Sequence, residues 1–294
     1  MNYIEENELQ KNQPSYFFEK INDCENLLKN NQRIILFLDY DGTLVYFKNH
    51  PSMVQASSDL IHVLNRLISK KSIEIVIITG RPLNQIKSQL PIRGLHFAAN
   101  HGLIIELAKG TTQIVKEAKK IKSQVKKIKN EVKGLFSKQE NIFIEDKTYS
   151  LAFHYRAAPK EKVPSLKNKF IKIVSKNDDN SIDLVEGDNV IEARPKGWNK
   201  ANAVKFFLNS FNHDTVLYPI YIGDDTTDED AFQFFNDDGL TIYVKNDSSL
   251  QSYASYWVKN PSEVLRFLKV LEHSISSTKQ NIFLNNKREK KVSG

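Results

Sequence analysis

The sequence predicts an α/β fold: a doubly wound, largely parallel sheet with a smaller α/β domain inserted into it. Three observations carry this. Four short apolar runs, Ile34–Leu38, Ile75–Ile78, Ile220–Ile222 and Leu240–Val244, read as strands buried on both faces, as in parallel sheets. Helical patterns at Leu60–Ile68 and Ala203–Phe211 lie between or beside them, the alternation that builds such sheets. Between Ile114 and Arg194 that rhythm breaks into helix, two strands, helix, two strands, which describes a compact inserted layer.

In chain order, Ser15–Asn30 has the pattern of an amphipathic helix, its apolar face formed by Phe17, Ile21, Cys24 and Leu28. The insert opens with apolar positions from Ile114 through Ala118, Ile121, Val125, Ile128, Val132 and Leu135, the spacing of one long helix. Strand-like pieces follow at Asn141–Glu145 and Thr148–Arg156, then a helix near Lys160–Lys176. Two further strands, Ile182–Glu186 and Asn189–Arg194, flank the turn Gly187-Asp188. Asn260-Pro261-Ser262-Glu263 is a helix start, with asparagine as cap, proline in the first position and glutamate in the third. That helix, Pro261–Leu271, is expected to close the main domain. The organisation expected is a helical extension over residues 1–30, a core over 31–108 and 195–272, an insert over 109–194, and a basic tail over 273–294.

Composition narrows the partners. A length of 294 residues suits one or two domains. The net charge of +7 raises the question of nucleic acid, so its location matters. Nine lysines stand against two glutamates between Lys116 and Lys138, and a second basic cluster, Lys287–Lys291, lies near the C-terminus. Neither interleaves aromatic residues, as a single-strand binding surface would. A solvated face is the simpler reading, with attraction of an anionic substrate as an alternative. No nucleic-acid partner is expected. A single cysteine, Cys24, cannot form an internal disulfide and suits a reducing compartment. The N-terminus lacks the basic-then-apolar layout of a signal peptide, and no run reaches the ~18 apolar residues of a membrane span. A cytoplasmic monomer without membrane contact is the expectation.

Four groups at or near the carboxyl ends of the predicted strands carry chemistry, because ligands bind there in open parallel sheets. Asp39-Tyr40-Asp41-Gly42-Thr43 follows the first strand at once. A carboxylate on a rigid strand end can act as a nucleophile toward phosphate, and one two residues on can serve as acid and base. A calcium loop would space three oxygen ligands before its glycine and lie between helices, unlike this segment. Thr79-Gly80-Arg81 offers a hydroxyl and a backbone amide for phosphoryl oxygens, although strand-ending turns often look the same. Lys200 could neutralise phosphate and aspartates, but taken singly it reads better as a surface lysine. Asp224-Asp225-Thr226-Thr227-Asp228-Glu229-Asp230 places five acidic residues in seven at a strand end, which calls for a cation such as magnesium. A helix N-terminus accounts for Glu229 and Asp230, but not for Asp224.

In this order the four groups resemble the signature of the haloacid dehalogenase superfamily of phosphatases. The resemblance implies a haloacid-dehalogenase-like core and a cap domain. It implies Asp39 as nucleophile, Asp41 as general acid and base, and Thr79, Gly80, Arg81 and Lys200 as phosphate-binding. It places Mg2+ on Asp39, the Asp41 backbone carbonyl and Asp224, with Asp225 or Asp228 ordering its waters. Narrower features resemble the trehalose-phosphatase family: Ala99-Asn100-His101-Gly102, Glu145-Asp146-Lys147, His154-Tyr155-Arg156, Glu192-Ala193-Arg194-Pro195 and Asn199-Lys200.

That resemblance covers roughly Arg33 to Leu271. It implies hydrolysis of trehalose-6-phosphate by a freestanding phosphatase, with Asn100, His101, Glu145, Lys147, His154, Arg156, Glu192 and Arg194 around the sugar. Two positions depart from the family pattern: Asn100 replaces a usual glutamate and Ala201 a usual glycine, and neither removes a reacting group. Another glycosyl phosphate, such as sucrose phosphate or a mannosylglycerate phosphate, is the nearest alternative substrate. A regulatory or nucleic-acid-binding protein on the same fold is the alternative from another class. A retired site, however, should have lost a carboxylate or the lysine.

Overall fold

The computed structural model describes residues 11–21, 33–47, 54–137, 139, 141–187, 189–211, 217–235, 238–245, 247 and 249–275. Its centre is a strand, β2 (Ile34–Asp39), in which every residue is buried. Ile34, Leu36 and Leu38 join one apolar cluster and Ile35 and Phe37 another, so the strand has a core on each face. This is why the run reads as unbroken hydrophobicity rather than alternation.

Among the described residues the main sheet has nine strands. Their spatial order is β1 (Ser15–Tyr16), β13 (Tyr256–Val258), β12 (Leu240–Val244), β11 (Tyr218–Gly223), β2, β3 (Ile73–Ile78), β4 (His96–Ala99), β5 (Ile104–Glu106) and β6 (Thr112–Ile114). Pairing is parallel from β1 to β4 and antiparallel from β4 to β6. On one face lie α1 (Ser58–Ile68), α2 (Leu83–Gln89) and α7 (261–275), which contribute Leu64, Ile86 and Phe267 to the first core. On the other lie α5 (Lys200–Phe211) and α6 (Glu229–Phe235), with Phe207 and Phe232 against Phe37 and Tyr221. The α7 start is capped as expected: Asn260 Oδ1 accepts from the amides of Ser262 and Glu263 at 3.1 and 3.2 Å.

The insert forms a second, antiparallel sheet in the order β7 (Phe143–Asp146), β8 (Leu151–His154), β10 (Val190–Pro195), β9 (Ile182–Gly187). Two helices, α3 (Lys116–Phe136) and α4 (Val163–Asn177), cover one face. Ile121, Val125, Ile128 and Val132 pack there against Leu151, Phe153, Ile191 and Phe170. Because strand side chains alternate, Glu192 must face the other way. The register puts Glu145, Ala152, Glu192 and Val185 in one row across the sheet.

Three expectations are corrected. Ser15 and Tyr16 are not helical: they pair in parallel with Tyr256 and Trp257, and Phe17–Glu19 is a single 3-10 turn. Cys24, Leu28 and the rest of that predicted helix lie outside the described residues, as do Asp188 and the basic cluster at Lys287–Lys291. Ile114 belongs to β6 rather than to the long helix, which starts at Lys116. The apolar stripe of α3 ends on buried Phe136, while Leu135 is 51% exposed. The lysines of α3 line its solvent side, with Lys129 paired to Asp146. No helix among the described residues is long and apolar enough to cross a membrane.

Candidate active site

The parallel register brings the carboxyl ends of three strands level. Asp39 is opposite Ile78, one residue before Thr79, and Leu38 is opposite Ile222, two residues before Asp224. Asp39 therefore ends a strand whose both faces are packed, and its backbone has no room to shift. The chain must then leave the strand in a tight loop. Gly42, at φ +84°, makes this turn, and a Cβ there would stand 2.0 Å from Asp224 Oδ2. A side chain at Gly223 would similarly meet the Asp228 carboxyl at 2.2 Å. Both glycines are thus required by close approach of the acidic groups.

Lys200, at the N-terminal end of α5, is buried and links two of these acids. Its Nζ donates to Asp39 Oδ1 at 2.9 Å and to Asp228 Oδ1 at 2.7 Å. Asp228 is fully engaged: Oδ1 also accepts from Tyr221 Oη at 2.6 Å, and Oδ2 from the amides of Asp224 and Asp225. Asp224 accepts from Thr43 Oγ1 at 2.9 Å. Carboxylate oxygens of Asp39, Asp224 and Asp228 all lie within 4.8 Å of one another. Asp225 stays outside this triad. It is exposed, and its carboxylate accepts from the amide and hydroxyl of Thr226.

The electrostatics follow from burial. Desolvation, opposed by Lys200 but reinforced by Asp228, pushes Asp39 up to about 7. Desolvation together with Asp39 and Asp228 pushes Asp224 up to about 9. Burial lowers the Lys200 pKa, but Asp228 and Asp39 more than offset it, so the ammonium is held charged. Two carboxylates reluctant to ionise, with one lysine between three acids, form a site that favours a hard cation. The donor set fits Mg2+, which takes one or two carboxylates and completes its shell with water and phosphate oxygens. Asp39 and Asp224 are the members with oxygens to give, because Asp228 is saturated.

Thr79 and Arg81 follow β3. Both are buried, and Thr79 Oγ1 accepts from the Arg81 amide at 3.2 Å. The Arg81 side chain reaches Asp41: Nε donates to Oδ2 and Nη2 to Oδ1, each at 2.6 Å. Gly80 packs against the ring of His101. Asn100, His101 and Gly102 are three successive left-handed residues, and Trp198 Nε1 holds this loop through the His101 carbonyl at 3.1 Å.

From this loop the core touches the insert. Asn100 Nδ2 donates to the Lys147 carbonyl at 2.7 Å, so it binds the turn between β7 and β8. His101 Nε2 is 3.3 Å and Lys147 Nζ 3.1 Å from Glu192 Oε2, while Ser150 Oγ donates to Glu192 Oε1. Burial works against the Glu192 charge, but Lys147 and His101 hold its pKa well below the carboxylate range. Burial works against the Lys147 charge too, but Glu192 and Glu145 raise its pKa. His101 is lowered, since burial outweighs Glu192. His154 Nε2 meets Glu145 Oε2 at 3.1 Å on the same open face of the cap sheet. Arg194 lies further along β10, near enough to Asp230 to oppose the rise that burial gives that acid. Arg156 is exposed beyond the end of β8.

Of the residues singled out from sequence, the structure thus gathers Asp39, Asp41, Thr79, Arg81, Lys200, Asp224 and Asp228 at the carboxyl ends of the central strands. It sets Asn100, His101, Lys147 and Glu192 together in a buried cluster. Sequence reasoning gave no role to Thr43, Tyr221 or Ser150. Thr43 stood inside a recognised motif, and Tyr221 was the one hydroxyl in an apolar run; Ser150 left no signal. Glu229, read as helix decoration, is buried and accepts from the Tyr253 amide at 3.0 Å.

The sequence and its fold have known relatives. A family model described as trehalose-phosphatase matches residues 37–262. "Probable trehalose-phosphate phosphatase E" of Arabidopsis thaliana is 31% identical over 266 residues, covering 85% of this chain and 74% of that protein. A solved structure of a trehalose-6-phosphate phosphatase related protein superposes with a TM-score of 0.71 at 26% identity, covering 81% of this chain and 97% of that one. A haloacid dehalogenase-like hydrolase from Bacteroides thetaiotaomicron shares the fold, with a TM-score of 0.57 at 14% identity over 81% of this chain and 98% of that one.

Proposed function

The chain belongs to the trehalose-phosphatase family, and from that premise we propose that it hydrolyses trehalose-6-phosphate to trehalose and inorganic phosphate through an aspartyl phosphate on Asp39. The observation that carries this reading is the contact of Lys200 with Asp39 and Asp228 at the carboxyl ends of the central strands, together with the buried Lys147–Glu192 pair of the cap. Such a site offers a nucleophile, fixed positive charge and polar groups for a sugar.

In the first step an Asp39 carboxylate oxygen attacks phosphorus and the bond from phosphorus to the sugar oxygen breaks. The carboxyl proton of Asp41 passes to that oxygen and trehalose leaves. In the second step water attacks phosphorus and gives its proton to Asp41. The bond to Asp39 breaks, returning the carboxylate and releasing phosphate. Mg2+, held by Asp39, Asp224 and the Asp41 carbonyl, would supply positive charge against the phosphoryl oxygens. Lys200 adds a fixed ammonium in a dry setting, where it acts more strongly than in water. Its two carboxylate partners keep it from approaching either one alone, so Asp39 remains aimed between Lys200 and the phosphate.

For the sugar, the charged row on the cap supports hydroxyl recognition. Glu192, Lys147 and His101 are already paired with one another, and a disaccharide would exchange these contacts for its own hydroxyls. The test is phosphate release from trehalose-6-phosphate with and without Mg2+, against sucrose phosphate, mannosylglycerate phosphate and glucose-6-phosphate. Metal-dependent selectivity for trehalose-6-phosphate is expected. Equal rates across the panel would reject the substrate assignment and leave a general phosphatase.

A further inference from the structure

We infer that Arg81 is a positioning residue for the second half-reaction, holding the Asp41 carboxyl oriented as the base, instead of binding the phosphoryl group. This rests on the proposed role of Asp41. Arg81 makes a two-point fork with both Asp41 oxygens, each at 2.6 Å. Two contacts from one planar group fix the plane and direction of the Asp41 carboxyl. Arg81 itself is fixed. Its side chain is 6% exposed against 29% for Asp41, and its guanidinium lies 5.4 Å from the Tyr40 ring. Its backbone is tied at both ends, donating to Thr79 Oγ1 at 3.2 Å and accepting from the Asn100 amide at 3.0 Å. A rigid, planar donor on the neighbouring strand end therefore sets the direction of a more exposed carboxylate. When water attacks the aspartyl phosphate, its proton must go to a group already in place, and the fork supplies that placement.

The test separates the two half-reactions. In para-nitrophenyl phosphate the leaving group departs without needing a proton, so the first turnover does not need Asp41 as acid. With Arg81→Gln, the first-turnover burst of para-nitrophenol is expected within about threefold of wild type. The steady-state rate is expected to fall at least about tenfold, within the range of a lost acid–base contribution, and label from the substrate phosphate should accumulate on Asp39. Arg81→Lys, which keeps the charge and loses the fork, should behave like Arg81→Gln. A normal burst also shows that the variant is folded. A parallel loss of burst and steady state with a raised KM would overturn the proposal in favour of phosphoryl binding, and an unchanged steady state would overturn it outright. Asp41→Asn is the control. If it accumulates label and the Arg81 variants do not, only the Arg81 proposal falls; if it does not, the assignment of Asp41 falls and the proposal with it.

Discussion

Lys200 Nζ and Asp39 Oδ1 are 2.9 Å apart although 161 residues separate them in the chain. The contact is made possible because α5 starts beside the end of β2, and it leaves Lys200 almost wholly buried among acids. Removing one partner of such a pair strands the others. Lys200→Met should lose activity on every phosphate ester and should cost about 3–5 kcal/mol of stability, the usual penalty for breaking a buried ion pair. Urea denaturation together with turnover on two substrates checks this. A stable, active Lys200→Met would remove the lysine from the account.

The acidic segment divides into two roles. Asp224 faces Asp39, whereas Glu229 reaches back to the Tyr253 amide and to Lys11. Asp224→Asn should abolish turnover at millimolar-order Mg2+, while Glu229→Gln should alter thermal stability and leave turnover within about threefold. Equal loss of activity in the two variants would mean that the cluster has been divided wrongly.

A pH effect follows from the two raised acids in the metal-free protein. Asp39 at about 7 and Asp224 at about 9 bind protons more tightly folded than unfolded, where the ordinary value is 3.8. For such groups the folded state holds extra protons above pH 4, so stability falls as pH rises toward 9. His101, lowered by burial, works in the opposite sense near its ordinary value of 6.5. With EDTA present, Tm should therefore be lower at pH 8.5 than at pH 7, Mg2+ should restore it, and Asp224→Asn should flatten the dependence. A metal-free Tm that rises over this interval in wild type would contradict the assigned shifts.

The cap cluster predicts selectivity. Glu192 accepts from Lys147 and Ser150 and faces His101, so truncation to alanine would leave a buried lysine unpaired and confuse folding with function. Glu192→Gln keeps the shape and removes the charge. A hydrogen bond from a charged group contributes roughly 1.5–3 kcal/mol, which is a loss of about 10–150-fold in kcat/KM for trehalose-6-phosphate. Hydrolysis of para-nitrophenyl phosphate, too small to reach the cap, should stay near wild type. Proportional losses on both substrates would turn Glu192 into a support of the fold.

Much of this was legible in the sequence, and the limits have physical causes. β2 was read to within one residue because burial on both faces leaves an uninterrupted apolar run, and Asp39 then marks its end. The three short strands from His96 to Ile114 escaped notice because three or four residues hold no period, and their antiparallel pairing is set by the edge of an existing sheet. Ser15–Tyr16 became a strand for the same reason: Tyr256 and Trp257 offered an open edge, which outweighed a helical pattern. At the site, Asp39 and Asp224 were visible as motifs, and Lys200 only through its place among them. The motif placed Arg81 at the site, but its fork with Asp41 depends on the register of β2 against β3, which no local pattern records. The hydrogen bond from Asn100 Nδ2 to the Lys147 carbonyl was equally illegible, because it joins residues 47 apart.

The central claim is covalent catalysis by Asp39, and rapid quench in acid with phosphate-labelled trehalose-6-phosphate tests it most directly. Wild type should carry label on the peptide containing Asp39 during turnover. Asp39→Asn should bind the substrate, carry no label and release phosphate at background rate. Phosphate release by Asp39→Asn at even about a tenth of the wild-type rate, or turnover by wild type with label on another residue, would contradict it.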